Sequence, residues 1–174
     1  MLSLSLLAEQ CPAKTDKESG HGYISGFYEG AFAPLRDKPI RLLEIGIAEG
    51  GSLELWRRAF PNAEAIVGID VGEIPVLSEG ITTIQADAYN LDFMMSLGTF
   101  DIIIDDGSHN PEHQVFVGDN YGKLLKPGGY LIIEDIPDVL LLPLLESCAE
   151  DMHVVDMREG RPADSLLVWW KAAD

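Results

Sequence analysis

From Pro39 onward the chain repeats one pattern, a short β-branched, apolar run followed by a longer polar or helix-forming stretch. A parallel strand must be followed by a crossover that returns the chain to the same end of the sheet, so this alternation predicts a parallel sheet covered on both faces. The strand candidates are "IRLLEIG", "AIVGIDV", "ITTIQAD", "FDIIIDD", "GYLIIED", "MHVVDMR" and "SLLVWWK". Between them, "SLELWRRAF", "LDFMMSL", "PEHQVFVGDNYGKLL" and "DVLLLPLLESCAE" read as helices, with Pro143 expected to kink or break the last. "KPGG" at Lys126–Gly129 ends a helix and launches a strand. The last two strands are joined by "EGRPAD", too short for a crossover helix, and are expected to pair as an antiparallel hairpin. The predicted fold class is therefore α/β, doubly wound, with a mostly parallel seven-stranded sheet.

A chain of 174 residues is long enough to bury one substantial core. Residues 1–37 are expected to form an N-terminal arm or lid, and residues 38–174 the domain proper. Cys11 and Cys148 lie far apart with no CxxC or Cys/His pattern, so neither a disulfide framework nor a structural zinc is expected. Twelve basic against 29 acidic residues give a net charge of −17, which repels phosphate backbones and anionic membranes. The opening "MLSLSLLAEQ" lacks a basic n-region, and no stretch reaches transmembrane length. The expectation is a cytoplasmic protein with no nucleic-acid or membrane partner, and a homo-oligomer is left open.

The strands end in unusual company. "LLEIGIAEGGS" sets Gly46, Gly50 and Gly51 after a buried strand, with Ser52 placed to cap the next helix. Glycines there let backbone approach a ligand. A dinucleotide fingerprint would need glycine where Ala48 stands, and Glu44 within the strand argues further against a nicotinamide or flavin. Asp70 ends the second strand, where an acid can accept both hydroxyls of a ribose, and Asp87 ends the third.

ExGxxxGG after the first strand, Asp70, Asp87 and the closing hairpin resemble class I S-adenosylmethionine-dependent methyltransferases over roughly residues 38–171. The resemblance implies a Rossmann-like fold of strand order 3-2-1-4-5-7-6 with the last strand antiparallel. It also implies a cofactor site for S-adenosyl-L-methionine built from Glu44, Gly46, Gly50, Ser52, Asp70, Asp87, Ala88 and Asp105. In that site the glycine loop lies beside the methionine moiety, Asp70 holds the ribose and Asp87 the adenine amine.

In that order the fourth and fifth strands are neighbours, so "DDGSH" and "IIED" come together, and carboxylates crowded in a partly dry site call for a cation. Carboxylates with retained waters suit Mg²⁺. The combination resembles the metal-dependent sugar O-methyltransferases of macrolide biosynthesis, mycinamicin type, and their cephalosporin hydroxylase-like relatives. "TDKESGHGYISGFYEGAFAPLR" extends the likeness upstream. The resemblance implies Asp106, Glu134 and Asp135 as Mg²⁺ ligands and His109 as catalytic base. Asp105 and Asp106 point to opposite strand faces, so only one is expected at the metal. His113 is read as surface, because Asn110 and Pro111 start a helix after His109. Lys17, His21 and Tyr23 are either a lid over the cofactor or acceptor or a solvated loop.

The 174 residues do not include the long auxiliary domain of the macrolide enzymes. The expected activity is S-adenosylmethionine- and Mg²⁺-dependent O-methylation of a small hydroxylated acceptor such as a glycoside. Its rivals are a metal-independent methyl or aminopropyl transferase of the same fold and a cofactor-binding module without turnover.

Overall fold

The computed structural model describes residues 1–149 and 151–173. Seven strands form one sheet in the order β3-β2-β1-β4-β5-β7-β6. They are β1 (Arg41–Ile45), β2 (Ala65–Asp70), β3 (Ile81–Gln85), β4 (Phe100–Asp105), β5 (Leu125–Ile133), β6 (His153–Asp156) and β7 (Leu166–Lys171). Only β7 runs against the rest, pairing antiparallel with both β5 and β6. All seven predicted strands are present, and the expected edge hairpin is β6–β7.

The helices are α1 (Leu4–Glu9), α2 (Asp16–Ser19), α3 (Glu29–Phe32), α4 (Gly51–Ala59), α5 (Leu91–Met95), α6 (Pro111–Asn120) and α7 (Leu142–Glu146). Asn110 caps α6, its side chain accepting the Glu112 N–H at 2.9 Å, and Pro111 opens the helix where its missing N–H costs nothing. Pro143 acts where expected: a 3₁₀ turn at Val139–Leu141 gives way to α7, with the proline in the first turn. The last predicted helix included Glu150, which lies outside the described residues. "KPGG" falls inside β5, beside a register irregularity against β4, and the preceding helical turn ends at Leu124. Ser52 was expected to cap α4, but Gly50 is the cap residue, in left-handed conformation at φ 81°, and Ser52 lies buried in the first turn.

The central strands bury both faces, which is why they read as unbroken apolar runs. On one face, Leu42, Ile66, Ile102, Ile104 and Ile132 pack against α4 and residues of the N-terminal segment. On the other, Leu43, Ile45, Val67, Ile103, Leu131 and Ile133 pack against α5, α6 and α7. The first 37 residues contribute Leu4, Tyr23, Ile24, Tyr28 and Phe32 to the first cluster, all fully buried. The N-terminal segment, whose opening residues form α1, packs onto this face of the sheet. Among the described residues, no helix is long and apolar enough to cross a membrane.

Candidate active site

Backbone pairing continues one residue past β1, β4 and β5 and so sets the site's floor. The Gly46 N–H donates to the Ile69 carbonyl at 2.8 Å, Asp106 to Ile45 at 2.9 Å and Glu134 to Asp105 at 2.9 Å. Gly46 has φ 79°, and a Cβ there would lie 2.1 Å from the Asp106 carbonyl oxygen, so only glycine permits this approach.

Strand alternation then decides which side chains meet. Leu42, Ile104 and Ile132 belong to the cluster beneath the N-terminal segment, and two residues beyond each stand Glu44, Asp106 and Glu134 on that same face. Lys17 meets them there. Its side chain is 1% exposed, with Nζ 2.6 Å from Asp106 Oδ2, 2.6 Å from Glu134 Oε2 and 3.2 Å from Glu44 Oε1. The Tyr28 hydroxyl donates to Glu134 Oε1, and the Trp56 indole donates to Glu44 Oε2 at 2.9 Å. Burial works to lower the Lys17 pKa, but Asp106, Glu134 and Glu44 outweigh it and hold it well above the ordinary lysine value. Burial likewise raises both Glu44 and Glu134 despite the ammonium. In Asp106, Lys17 and His109 outweigh burial and hold the carboxyl below its usual range.

By alternation Asp135 should face away, but its φ of 53° turns it back. Its Oδ1 accepts from the Tyr23 hydroxyl at 2.7 Å and lies 3.2 Å from His21 Nδ1, and its Oδ2 lies 3.6 Å from His109 Nε2. His109, also left-handed at φ 53°, sets Nε2 3.3 Å from Asp106 Oδ1. The hydrogen bond to Asp106 raises the imidazole pKa, against partial burial. One ligand atom each from Asp106, His109 and Asp135 lie within 4.8 Å of one another. The structure thus brings together Asp106, His109 and Asp135, where the expected metal set was Asp106, Glu134 and Asp135. Glu134 is turned inward, taken up by Lys17 and Tyr28.

These groups form one wall of a cavity of about 550 Å³. The glycine loop (Gly46, Ile47, Ala48, Gly51, Ser52) and Asp70 form another wall, and Lys14, Thr15, Asp16 and Ser19 a third. Asp70 Oδ2 accepts the Ile47 N–H at 2.9 Å and its Oδ1 the Gly72 N–H at 2.8 Å. Partial burial would raise its pKa, but these amides prevail and hold it below the usual carboxylate range. A smaller slot of about 170 Å³ opens beyond Asp70, lined by Ile69, Val71, Ala88 and Tyr89.

Of the expected cofactor residues, Gly46, Ser52, Asp70 and Ala88 line one or the other space. Glu44 does not, being fully buried against Lys17 and Trp56. Gly50 shapes the loop without lining the cavity, and Asp87 is exposed, its Oδ1 accepting the Tyr89 N–H at 2.9 Å. Asp105 is buried on the opposite face, where its Oδ1 accepts from the Tyr89 hydroxyl at 3.2 Å. His113 is half-buried, stacked on Tyr89 and paired with Ser108 Oγ at 2.7 Å. Lys17, His21 and Tyr23, left between lid and solvated loop, are all buried in the site.

A sheet ordered 3-2-1-4-5-7-6, with a glycine loop after β1 and acids after β2 and β4 around one cavity, defines the class I S-adenosylmethionine-dependent methyltransferase fold. Within that class the chain is similar to sugar O-methyltransferases. It is 36% identical over 177 residues to the 8-demethyl-8-(2-methoxy-alpha-L-rhamnosyl)-tetracenomycin-C 3'-O-methyltransferase of Streptomyces olivaceus, covering 86% of this chain and 45% of that protein. It is 36% identical over 133 residues to the mycinamicin VI 2''-O-methyltransferase of Micromonospora griseorubida, covering 66% of this chain and 32% of that one. The solved MycE methyltransferase of the mycinamycin pathway, in complex with Mg and SAH, superposes with a TM-score of 0.81 at 26% identity, covering 99% of this chain and 55% of MycE. The chain therefore spans less than half the length of these curated relatives. No family model matches it.

Proposed function

We propose that this chain is the catalytic part of an S-adenosylmethionine-dependent, Mg²⁺-dependent O-methyltransferase acting on a hydroxyl of a sugar or glycoside. The observation that carries the reading is the junction of two half-sites in one cavity: glycine loop and Asp70 on one wall, Asp106, His109 and Asp135 on the other. The solved relative MycE holds Mg and SAH.

On this reading the loop amides and Gly46 receive the methionine end and Asp70 the ribose. The slot bounded by Val71 and Ala88 takes the adenine, with Asp87 at its rim. Two carboxylates whose ligand atoms lie within 4.8 Å of each other fit a hard divalent cation that keeps several waters, so Asp106 and Asp135 would hold it. When bound, the sulfonium cofactor supplies an activated methyl group and the cation makes an acceptor hydroxyl easier to deprotonate. The His109 imidazole takes the hydroxyl proton, and the neighbouring Asp106 carboxylate stabilises the imidazolium that forms. Burial of Lys17, His21 and Tyr23 against the acidic residues keeps bulk water from the inner side.

The test is transfer of labelled methyl groups from S-adenosylmethionine to a panel of glycosides, with and without EDTA, beside calorimetry on Asp70→Ala. Transfer that stops in EDTA and returns with Mg²⁺, with cofactor binding weakened in the variant, is expected. Full activity in chelator would leave a metal-independent transferase, and unchanged affinity in Asp70→Ala would remove the ribose assignment.

A further inference from the structure

Lys17 is the least expected member of the site. An ammonium group with 1% exposure is stable only where anions replace its water, and here three carboxylates from three adjacent strands do so. The arrangement is not fully satisfied: Glu44 Oε1 lies 3.2 Å from Nζ yet has no hydrogen-bond partner. The lysine is thus placed for the charge of the whole group and not for one paired bond.

Lys17 also divides the acidic residues. It takes Oδ2 of Asp106 and leaves Oδ1 facing His109, and it takes Oε2 of Glu134 while Tyr28 takes Oε1. What remains for the cavity is Asp106 Oδ1 with Asp135. The lysine is held in turn by its own segment. Thr15 Oγ1 accepts the Lys17 N–H at 3.3 Å, and the Lys14 carbonyl lies so close to Gly51 that a Cβ there would sit 2.0 Å from it.

We propose that Lys17 is a built-in counter-cation, a positioning residue that keeps Glu44, Asp106 and Glu134 assembled without a divalent ion and confines such an ion to the outer Asp106–Asp135 side. The first half stands on the observed contacts, and the second rests on the divalent-ion reading above. A metal-free chain that lost Lys17 would hold two buried carboxylates, Glu44 and Glu134, beside the half-buried Asp106 with no ammonium among them, and would need an external cation in its place.

Thermal melts of the whole chain, without cofactor or acceptor, test the first half. Removing one partner of a buried ionic group should lower the metal-free midpoint of Lys17→Met by roughly 6–20 °C. Mn²⁺ should return more of that loss than it adds to the wild type. Lys17→Met/Glu134→Gln, which removes a carboxylate with the lysine, should melt above the single variant, a rescue that loss of lysine packing alone would not give. An unchanged midpoint in Lys17→Met, or a double variant no better than the single one, overturns the proposal. If Lys17→Met does not fold, a folded double variant supports the charge argument and an unfolded one overturns it. Mn²⁺ titration followed by electron paramagnetic resonance tests the second half. Affinity should be nearly unchanged in Glu134→Gln, and a loss of tenfold or more would put the ion on the inner side. Failure of Mn²⁺ to bind wild type would overturn both the confinement and the divalent-ion reading, while the melts decide the lysine's role independently.

Discussion

Three non-glycine residues have positive φ among the described residues, Ala48, His109 and Asp135, and all three line the main cavity. Such conformations are disfavoured for side chains bearing a Cβ, and their gathering at one cavity is strain located where geometry matters for chemistry. If His109 is the base and neither ion nor cofactor depends on its ring, His109→Ala should leave both affinities nearly intact. Its turnover should fall by roughly 10²- to 10⁴-fold, an outcome checked by pairing calorimetry with the methyl-transfer assay. Asp105 titrates differently. Burial pushes its carboxyl up to about 7, more than the Tyr89 hydroxyl lowers it. Between about pH 4 and 7 the folded chain therefore keeps a proton that the unfolded chain has lost, so this group's contribution to stability falls as pH rises through that window and is level on either side. Urea melts across the window should show a weaker pH dependence for Asp105→Asn than for wild type. At this scale alternation placed Asp105 and Asp106 on opposite faces. The pairing of Glu134 with Lys17 was not read from the sequence, which left Lys17 between lid and loop, and the turn of Asp135 depends on a backbone angle that no residue pattern announces.

At the scale of elements, the inner strands β1, β2 and β4 were legible because each is buried on both faces and reads as an unbroken apolar run, the exposed edge strands β3 and β6 from their β-branched residues and flanking turns, and the strand order from the family resemblance. The N-terminal segment was not, since its buried residues are scattered over short α, π and 3₁₀ turns that share no single period. Its integration could have been inferred from charge: Glu44, Asp106 and Glu134 on one face of adjacent strands require a cation from whatever covers them, and "TDK" supplies one. The glycine loop couples the two halves of the site, because Gly46 touches the Asp106 backbone directly. Gly46→Ala combines a disfavoured φ with a contact that backbone must move to relieve, so it should destabilise the fold by about 1–3 kcal/mol. It should also weaken cofactor and divalent-ion binding together, whereas Asp70→Ala should affect the cofactor alone. Parallel titrations of the two variants check this.

At the scale of the whole molecule, the charge of −17 and the cavity act in the same sense. The charged lining is Asp16, Glu49, Asp70, Asp106 and Asp135 against Lys14 and His109, so the local potential has the sign of the global one. A sulfonium cofactor and a divalent cation are both drawn into such a field, and an acceptor bearing phosphate is repelled. Neutral glycosides should therefore be methylated with lower KM than their phosphorylated counterparts. The same field predicts a salt dependence. The Debye length shrinks from about 30 Å at 0.01 M salt to about 8 Å at 0.15 M, so raising KCl across that range removes the contribution of distant surface carboxylates but leaves Asp106 and Asp135 in contact with the ion. Mn²⁺ affinity should accordingly weaken several-fold and then level off, while KM for a neutral acceptor stays constant. An affinity flat from the lowest salt would assign ion binding to the contacting carboxylates alone and leave the chain's acidity without a part in it.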